Sequence, residues 1–191
     1  MRLRRFTQDD GRHLFDLDAD PAVMRYLTGG APTPRAAIDH EILPRFLCYD
    51  PQQPIFGFWA AEDRLDGTFL GWFSLRPAKD VADDPLNIVC LGYRLRRAVW
   101  GCGYATEGVR ALIRLAFAQS NVNRVVATTY EENVASWRVM EKAGMRLRRR
   151  FRFTPADLAA TDTFQADPDE LWDGDDLEYA LTRREWERLA S

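Results

Sequence analysis

The stretch Val99-Trp100-Gly101-Cys102-Gly103-Tyr104-Ala105-Thr106-Glu107 decides the fold. Before it, Leu86 to Leu95 (LNIVCLGYRL) has the apolar, branched character of a buried strand. After it, Ala105, Val109, Leu112, Ile113, Ala116 and Phe117 recur at three-to-four-residue spacing, the pattern of an amphipathic helix. The order is strand, glycine-paired turn, helix. The first turn of a helix carries backbone N–H groups without intrahelical acceptors, and the aligned peptide dipoles put partial positive charge there. Gly101 and Gly103 lack the Cβ atoms that would hold a pyrophosphate off the backbone, and they admit the positive φ angles that let successive N–H groups converge on one oxygen. The turn therefore reads as a seat for a phosphate-bearing ligand. The plainer alternative is a tight turn whose glycines only relieve crowding.

Two familiar phosphate loops fail on spacing. A P-loop needs Gly-Lys followed by Ser or Thr, and the chain's two lysines, Lys79 and Lys142, do not follow glycine. A dinucleotide fingerprint would place Gly or Ala where Thr106 stands, and an acidic residue about 20 positions on, where Asn121 and Asn123 stand instead.

Working outward, Arg124 to Tyr130 (RVVATTY) is short and β-branched and reads as the next strand. Strand, helix, strand at this spacing makes a right-handed crossover, with the central pair parallel and the glycine turn at the carboxyl edge of the sheet, where ligands gather. Asn133 to Ala143 reads as a helix stopped by Gly144, and Arg146 to Phe153 as a strand. Upstream, Leu3 to Phe6 suits a first strand, with Thr7 and Asp10 as a helix start. Asp20-Pro21 opens a helix that stops at Gly29-Gly30, and Thr33-Pro34 opens another to Phe46, bent or ended by Pro44. Ile55 to Ala61 and Thr68 to Leu75 flank Asp66-Gly67 and predict a β-hairpin, followed by a loop over Pro77 to Pro85. Thr154 to Asp176 is long and acidic, either a flap over the site or a solvated excursion.

Several linked pieces resemble the GNAT N-acetyltransferases, in the branch that includes the bacterial ribosomal-protein N-terminal acetyltransferases. They are Leu91-Gly92-Tyr93 with Trp100 to Glu107, and Asn133-Val134-Ala135-Ser136-Trp137-Arg138-Val139-Met140-Glu141-Lys142-Ala143-Gly144-Met145. Asp20 to Leu27 and Tyr179 to Trp186 support them more loosely. The resemblance implies an α/β (α+β) fold in one domain over residues 1–191, a mixed, mostly antiparallel sheet with a central parallel strand pair flanked by helices. It also implies acetyl-CoA as the acetyl donor and a primary amine as acceptor, on a protein N-terminus or a small molecule. The expected cofactor contacts are Leu95, Arg96, Arg97, Trp100, Gly101, Cys102, Gly103, Tyr104, Ala105 and Thr106, with Asn133 and Ser136 facing the pantetheine arm and sulfur.

Ser136 is the candidate acid for the leaving thiolate, because Met140 stands where many relatives place Tyr and a thioether cannot donate a proton. Asn133 would serve equally as an ordinary helix N-cap and Ser136 as a small helix residue. Cys90 occupies the strand position where relatives often carry Glu, which leaves the general base to Glu62, Glu131, the acidic segment or a water relay. Trp100 replaces the family's Gln or Arg. Tyr26, near the Gly29-Gly30 hinge, is the candidate acceptor-side residue. The acidic set Asp167, Asp169, Glu170, Asp173, Asp175 and Asp176 could attract a cationic amine, and Arg146, Arg148, Arg150 and Arg152 alternate so as to share one strand face that could meet an anion, although a solvated face is the ordinary reading.

The 191 residues, 46% hydrophobic, suffice for one buried core. A net charge of −3 gives no general attraction to nucleic acid or anionic membranes. Three separated cysteines and two histidines, His13 and His40, make neither a disulfide framework nor a metal site, so no metal is expected. The amino-terminal Met1 to Phe6 lacks the apolar run of a signal peptide and no stretch is long enough to span a bilayer, so a cytoplasmic location is expected. The resembled branch often forms dimers, which makes a homodimer the assembly to test.

Overall fold

The computed structural model describes residues 1–78, 87–119, 121–152 and 174–190. Asp167, Asp169, Glu170, Asp173 and most of the acidic segment lie outside them, as does most of the Pro77 to Pro85 loop. Among the described residues seven strands form one mixed sheet in the order β1-β2-β3-β4-β5-β7-β6. They are β1 (Arg2–Arg4), β2 (Gly57–Glu62), β3 (Phe69–Pro77), β4 (Ile88–Leu95), β5 (Arg124–Tyr130), β6 (Arg146–Phe151) and β7 (Asp176–Thr182). The chain divides into two compact units: Met1–Ser74 with Tyr93–Ala105, and Leu75–Gly92 with most of the chain after Thr106.

In the first unit, β1 pairs antiparallel with β2. The Asp10 carboxylate accepts from the Thr7 N–H at 2.8 Å and from its hydroxyl at 3.1 Å, which sets the entry to α1 (Gly11–Asp18). Asp20 caps α2 (Pro21–Thr28) by accepting from the Ala22 N–H at 2.9 Å, and Gly29, at φ 65°, ends it as the glycine pair predicts. The third helical run departs from expectation. Pro34 is its cap, and the Thr33 hydroxyl turns away to donate to Asp18 at 3.1 Å. The run begins as α3 (Arg35–Ala37), widens into a π-turn over Ile38–Ile42, and resumes as α4 (Leu43–Leu47). Pro44 neither donates an N–H nor fits under the carbonyl four residues back, and the widened turn just before it lets the helix pass the proline rather than stop there. Phe46 anchors the core, stacked on Phe58 at 3.8 Å and edge-on to Phe6 at 5.0 Å and to Trp72 at 5.4 Å. The connection from β2 to β3 runs from Asp63 to Thr68 around Asp66-Gly67. The Asp63 N–H donates to the Thr68 carbonyl across it at 2.8 Å, with Gly67 at φ 75°.

In the second unit, β4 and β5 are parallel, with Ile88, Val89 and Cys90 opposite Arg124, Val125 and Val126. The helix α5 (Tyr104–Gln119) buries Val109, Leu112, Ile113, Ala116 and Phe117, five of the six residues its periodicity picked out, and leaves the sixth, Ala105, half-buried. The Arg183 guanidinium donates to the Phe117 and Val122 carbonyls and so closes the end of that helix. The helix α6 (Val134–Lys142) stops at Gly144, φ 91°. Strand β7 enters antiparallel between β5 and β6, and α7 (Arg183–Ala190) follows it.

The expected single face of alternating arginines on β6 does not form. Leu147 pairs with Tyr179 and Arg149 with Glu178, so Arg148 is an extra, bulged residue and the alternation reverses there. The arginines are matched to carboxylates instead: Arg148 to Glu185 at 2.5 Å, Arg149 to Glu178 at 2.8 Å, Arg150 to Glu131, and Arg152 to Asp175 at 3.8 Å. Asp175 is thus in an ion pair, and Asp176 is a strand residue only 4% exposed rather than part of a solvated excursion.

Candidate active site

The glycine turn lies in the first unit. Leu95 is buried at the end of β4, Arg97 to Val99 make one tight helical turn, and Trp100 returns to extended backbone. The Trp100 indole N–H donates to the Leu95 carbonyl at 2.8 Å and so pins the start of the turn to the last residue of the strand. That bond gives a local reason for a tryptophan at this place. Gly101 and Gly103 have φ of 76° and 88°, which side-chain-bearing residues seldom adopt, and a Cβ at either would meet no protein atom within 4 Å. The space in front of the turn is open. Among the described residues, the N–H groups of Gly101, Cys102 and Gly103 donate to no backbone acceptor outside regular structure, and α5 begins at the next residue. This arrangement suits an anion.

The turn is held from behind. The Tyr104 hydroxyl donates to Asp63 Oδ2 at 2.7 Å, while the other Asp63 oxygen accepts from the Leu65 N–H at 2.8 Å. The Leu65 N–H and the Tyr104 hydroxyl hold the Asp63 carboxyl below its usual range. Arg96 lies 3.7 Å from Asp16, and Arg97 is exposed. Two residues before Arg96, Arg94 donates to buried Asp18 at 2.6 Å and lies over the Trp72 ring. Gly71 is required on β3, because a Cβ there would come within 2.2 Å of the Arg94 carbonyl. Cys102 is exposed, its thiol 3.6 Å from the Trp100 carbonyl. Tyr26 is half-buried in the last turn of α2, with the Arg25 guanidinium 5.2 Å from its ring.

In the second unit, Asn133 is the N-cap of α6. Its side-chain oxygen accepts from the Ser136 N–H at 3.3 Å, so the ordinary capping role is filled. Ser136 is half-buried in the first turn of that helix. Met140, one turn further on, is 2% exposed and belongs to the core. Cys90 is half-buried on β4.

Of the carboxylates considered as a base, Glu62 accepts from Arg2 at 2.5 Å and from Arg4 at 2.5 Å. Those two guanidiniums hold it below the usual range against the opposing effect of burial. Glu131 is bound to Arg150. Neither is arranged to accept a proton. Sequence reasoning missed the Tyr104–Asp63 bond, the Trp100 indole bond and the pairing of Tyr130 with Asp176 across β5 and β7. The first and last join residues about 40 or more positions apart, and no local pattern marks them. Among the described residues no cluster of His, Cys, Asp and Glu could hold a metal ion, and no helix is long and apolar enough to cross a membrane.

The sequence matches the family described as acetyltransferase (GNAT) domain over residues 1–146. An FsC-acetyl coenzyme A-N(2)-transacetylase from Aspergillus fumigatus is 29% identical over 178 residues, which is 91% of this chain and 69% of that protein. Among solved structures, the aminoglycoside acetyltransferase AAC(6')-Ib in complex with coenzyme A matches with a TM-score of 0.72 at 23% identity, over 99% of this chain and 98% of that one. A ribosomal-protein-alanine N-acetyltransferase from Brucella melitensis matches with a TM-score of 0.67 at 16% identity, over 95% and 99%. These two structures establish a common fold. The family match spans the glycine turn, the parallel strand pair and α6, so the chain belongs to the GNAT acetyltransferases and is an acetyl-CoA-dependent N-acetyltransferase.

Proposed function

We propose that the chain acetylates a primary amine by direct attack of the amine nitrogen on the thioester of acetyl-CoA, the acceptor being a small-molecule amine or a protein N-terminus. The observation that carries the donor side is the pair Gly101 and Gly103. Their positive φ angles, and the open space where Cβ atoms would stand, fit a pyrophosphate held by the backbone N–H groups of Gly101, Cys102 and Gly103. Arg97, exposed at the turn, is the cation best placed to add charge, whereas Arg96 is drawn toward Asp16. Acetyl-CoA supplies an activated acyl group. The chain's own residues bind it, orient the amine and manage the proton.

Ser136 is proposed to give the departing sulfur a proton, and Met140, buried in the core, leaves no phenol at its own position for that task. Tyr26 is proposed to line the acceptor side. The sequence pieces around Leu91-Gly92-Tyr93 and Asn133 to Met145 favour the ribosomal-protein N-terminal acetyltransferase branch, in which case residues 1–191 act as one catalytic domain and the assembly is a homodimer, checked by light scattering. A second reading, an acyl-CoA-binding module without turnover, draws on Cys90 and Met140. A panel of amines with acetyl-CoA, scored by release of free thiol, separates the two. Tight acetyl-CoA binding with no thiol released for any amine favours the module.

A further inference from the structure

An alkylamine is an ammonium ion at neutral pH and has no lone pair with which to attack, so the reaction requires a proton acceptor. This inference rests on the acetyltransfer reading above. We propose that Asp176 is that acceptor, a catalytic carboxylate set against Tyr130 at the carboxyl end of β5.

Three observations carry the assignment. Asp176 is the first residue of β7, 4% exposed, and stands opposite Tyr130, itself 7% exposed, in the antiparallel β5–β7 register. Tyr130 is the last residue of β5, so the pair lies at the strand end toward which β4 and β5 both point. Second, the pair stands on the sheet face opposite the one that α6 packs against. Asp176 shares its face with Glu178 and, across the register, with Thr128 and Tyr130; Thr128 is exposed. The opposite face carries Tyr179, whose hydroxyl donates to Glu141 of α6 at 3.3 Å, so that helix covers the other side. Third, the start of α6 hangs from the same strand end. The Asn133 N–H donates to the Tyr130 carbonyl at 3.0 Å, and the Glu131 N–H to the Asp175 carbonyl at 2.9 Å. Two short backbone links therefore fix Asp176 and the helix turn bearing Ser136 to the same strand end.

The charged groups around Asp176 come from all three strands. From β6 and its end, Arg149, Arg150 and Arg152 are matched to Glu178, Glu131 and Asp175. From β5 comes the Tyr130 phenol, whose ionisation is pushed up to about 12 by burial first and then by the Asp176 carboxylate. The Tyr130 phenol thus stays neutral at working pH beside Asp176. In the reaction the amine N–H proton passes to an Asp176 oxygen, and the freed nitrogen lone pair forms the C–N bond at the acetyl carbon. The C–S bond breaks and its electron pair leaves on sulfur; the Ser136 hydroxyl gives the sulfur a proton and takes up the second proton that the nitrogen sheds, which leaves a neutral amide and a neutral thiol.

The test uses the full chain with acetyl-CoA and two kinds of amine: kanamycin and an alanine-initiated peptide, which are ammonium ions at pH 7, and hydroxylamine, which is largely neutral there. Asp176→Asn should lower kcat with the ammonium acceptors by about 100-fold or more, remove the low-pH limb of the pH–rate profile, and leave the calorimetric acetyl-CoA Kd unchanged. With hydroxylamine the loss should nearly vanish, since no proton need be removed before attack. Independently of turnover, tyrosinate absorbance at pH 11, taken as the difference from Tyr130→Phe, should rise in Asp176→Asn as the phenol's ionisation falls toward its ordinary 10.0. If Asp176→Asn does not fold by circular dichroism, Asp176→Glu takes its place and should keep the hydroxylamine rate while shifting the low-pH limb. Equal losses with all three amines, or full kcat with the ammonium acceptors, overturn the assignment. A wild-type chain that turns over none of the amines overturns the acetyltransfer reading itself, and this inference with it.

Discussion

The Tyr104 hydroxyl donates to Asp63 Oδ2 at 2.7 Å, which fastens the residue after the second turn glycine to the connection between β2 and β3. The bond touches no expected ligand atom. It acts by holding the backbone of the turn in one shape, so that the unused N–H groups are already aimed before an anion arrives. Tyr104→Phe keeps the ring and removes the bond. Its expected effect is a rise of about fivefold in the acetyl-CoA Kd, the order expected when one hydrogen bond that orders the turn is lost. Calorimetry on the variant checks this, and an unchanged Kd would show the turn to be rigid without the tyrosine.

The glycines themselves offer a graded test. At φ 88°, Gly103→Ala carries a left-handed backbone cost of about 1–2 kcal/mol, but its methyl group meets no protein atom. Gly103→Asp adds a negative charge against the pyrophosphate seat. Both variants should keep the native circular dichroism spectrum, with Ala weakening acetyl-CoA binding and Asp abolishing it. Two variants with the same affinity would mean that the anion sits elsewhere.

What the chain revealed by itself follows the range of the interactions. The helix from Tyr104 and the strand from Arg124 were legible because their signals are local: a 3.6-residue apolar period and a β-branched run. The turn glycines were legible for the same reason, since a positive φ is a property of one residue. The place of β7 between β5 and β6 was not, because it depends on pairing Arg124 with Thr182, residues with no local sign of partnership. The bulge at Arg148 exists only relative to β7, so an alternating run of arginines misrepresented its own geometry. Pro44 misled in another way: a widened helical turn, which no short motif announces, absorbed the break it signalled. At the site, the anion seat could be read, whereas the groups that brace it and the carboxylate at position 176 belong to tertiary structure.

The Arg94–Asp18 pair should matter for stability more than for binding. Their side chains are 12% and 3% exposed, and the Thr33 hydroxyl completes the carboxylate's partners. Asp18→Ala leaves the guanidinium largely buried beside Trp72 without its carboxylate, a loss expected to cost about 3 kcal/mol. The double variant Asp18→Ala with Arg94→Met removes the stranded charge and should recover part of it. Urea melts of the three proteins check the order; a double variant no more stable than Asp18→Ala would contradict it.

Glu185 supplies a prediction in pH. Its carboxylate accepts from the Thr182 N–H at 2.9 Å and from the Thr182 hydroxyl at 2.8 Å, while the Glu185 N–H donates back to that hydroxyl at 3.3 Å, so the pair caps the start of α7. Arg148, the bulged residue of β6, adds its guanidinium. The Thr182 backbone N–H first, and then Arg148, lower the Glu185 carboxyl from an ordinary 4.5 to about 2. A carboxyl depressed in the folded chain stabilises it fully above its unfolded value, and that contribution is lost as the pH falls from about 4.5 through about 2. The side chain is 21% exposed and screened by solvent, which holds the contribution to about 1 kcal/mol. Glu185→Gln should therefore lower stability by about that amount at pH 7 and by progressively less toward pH 2, where the two proteins converge. Denaturant melts of both between pH 7 and pH 3 follow the difference. A gap that stays constant over that range would show that Glu185 caps the helix through its shape and its neutral hydrogen bonds, with its charge contributing nothing.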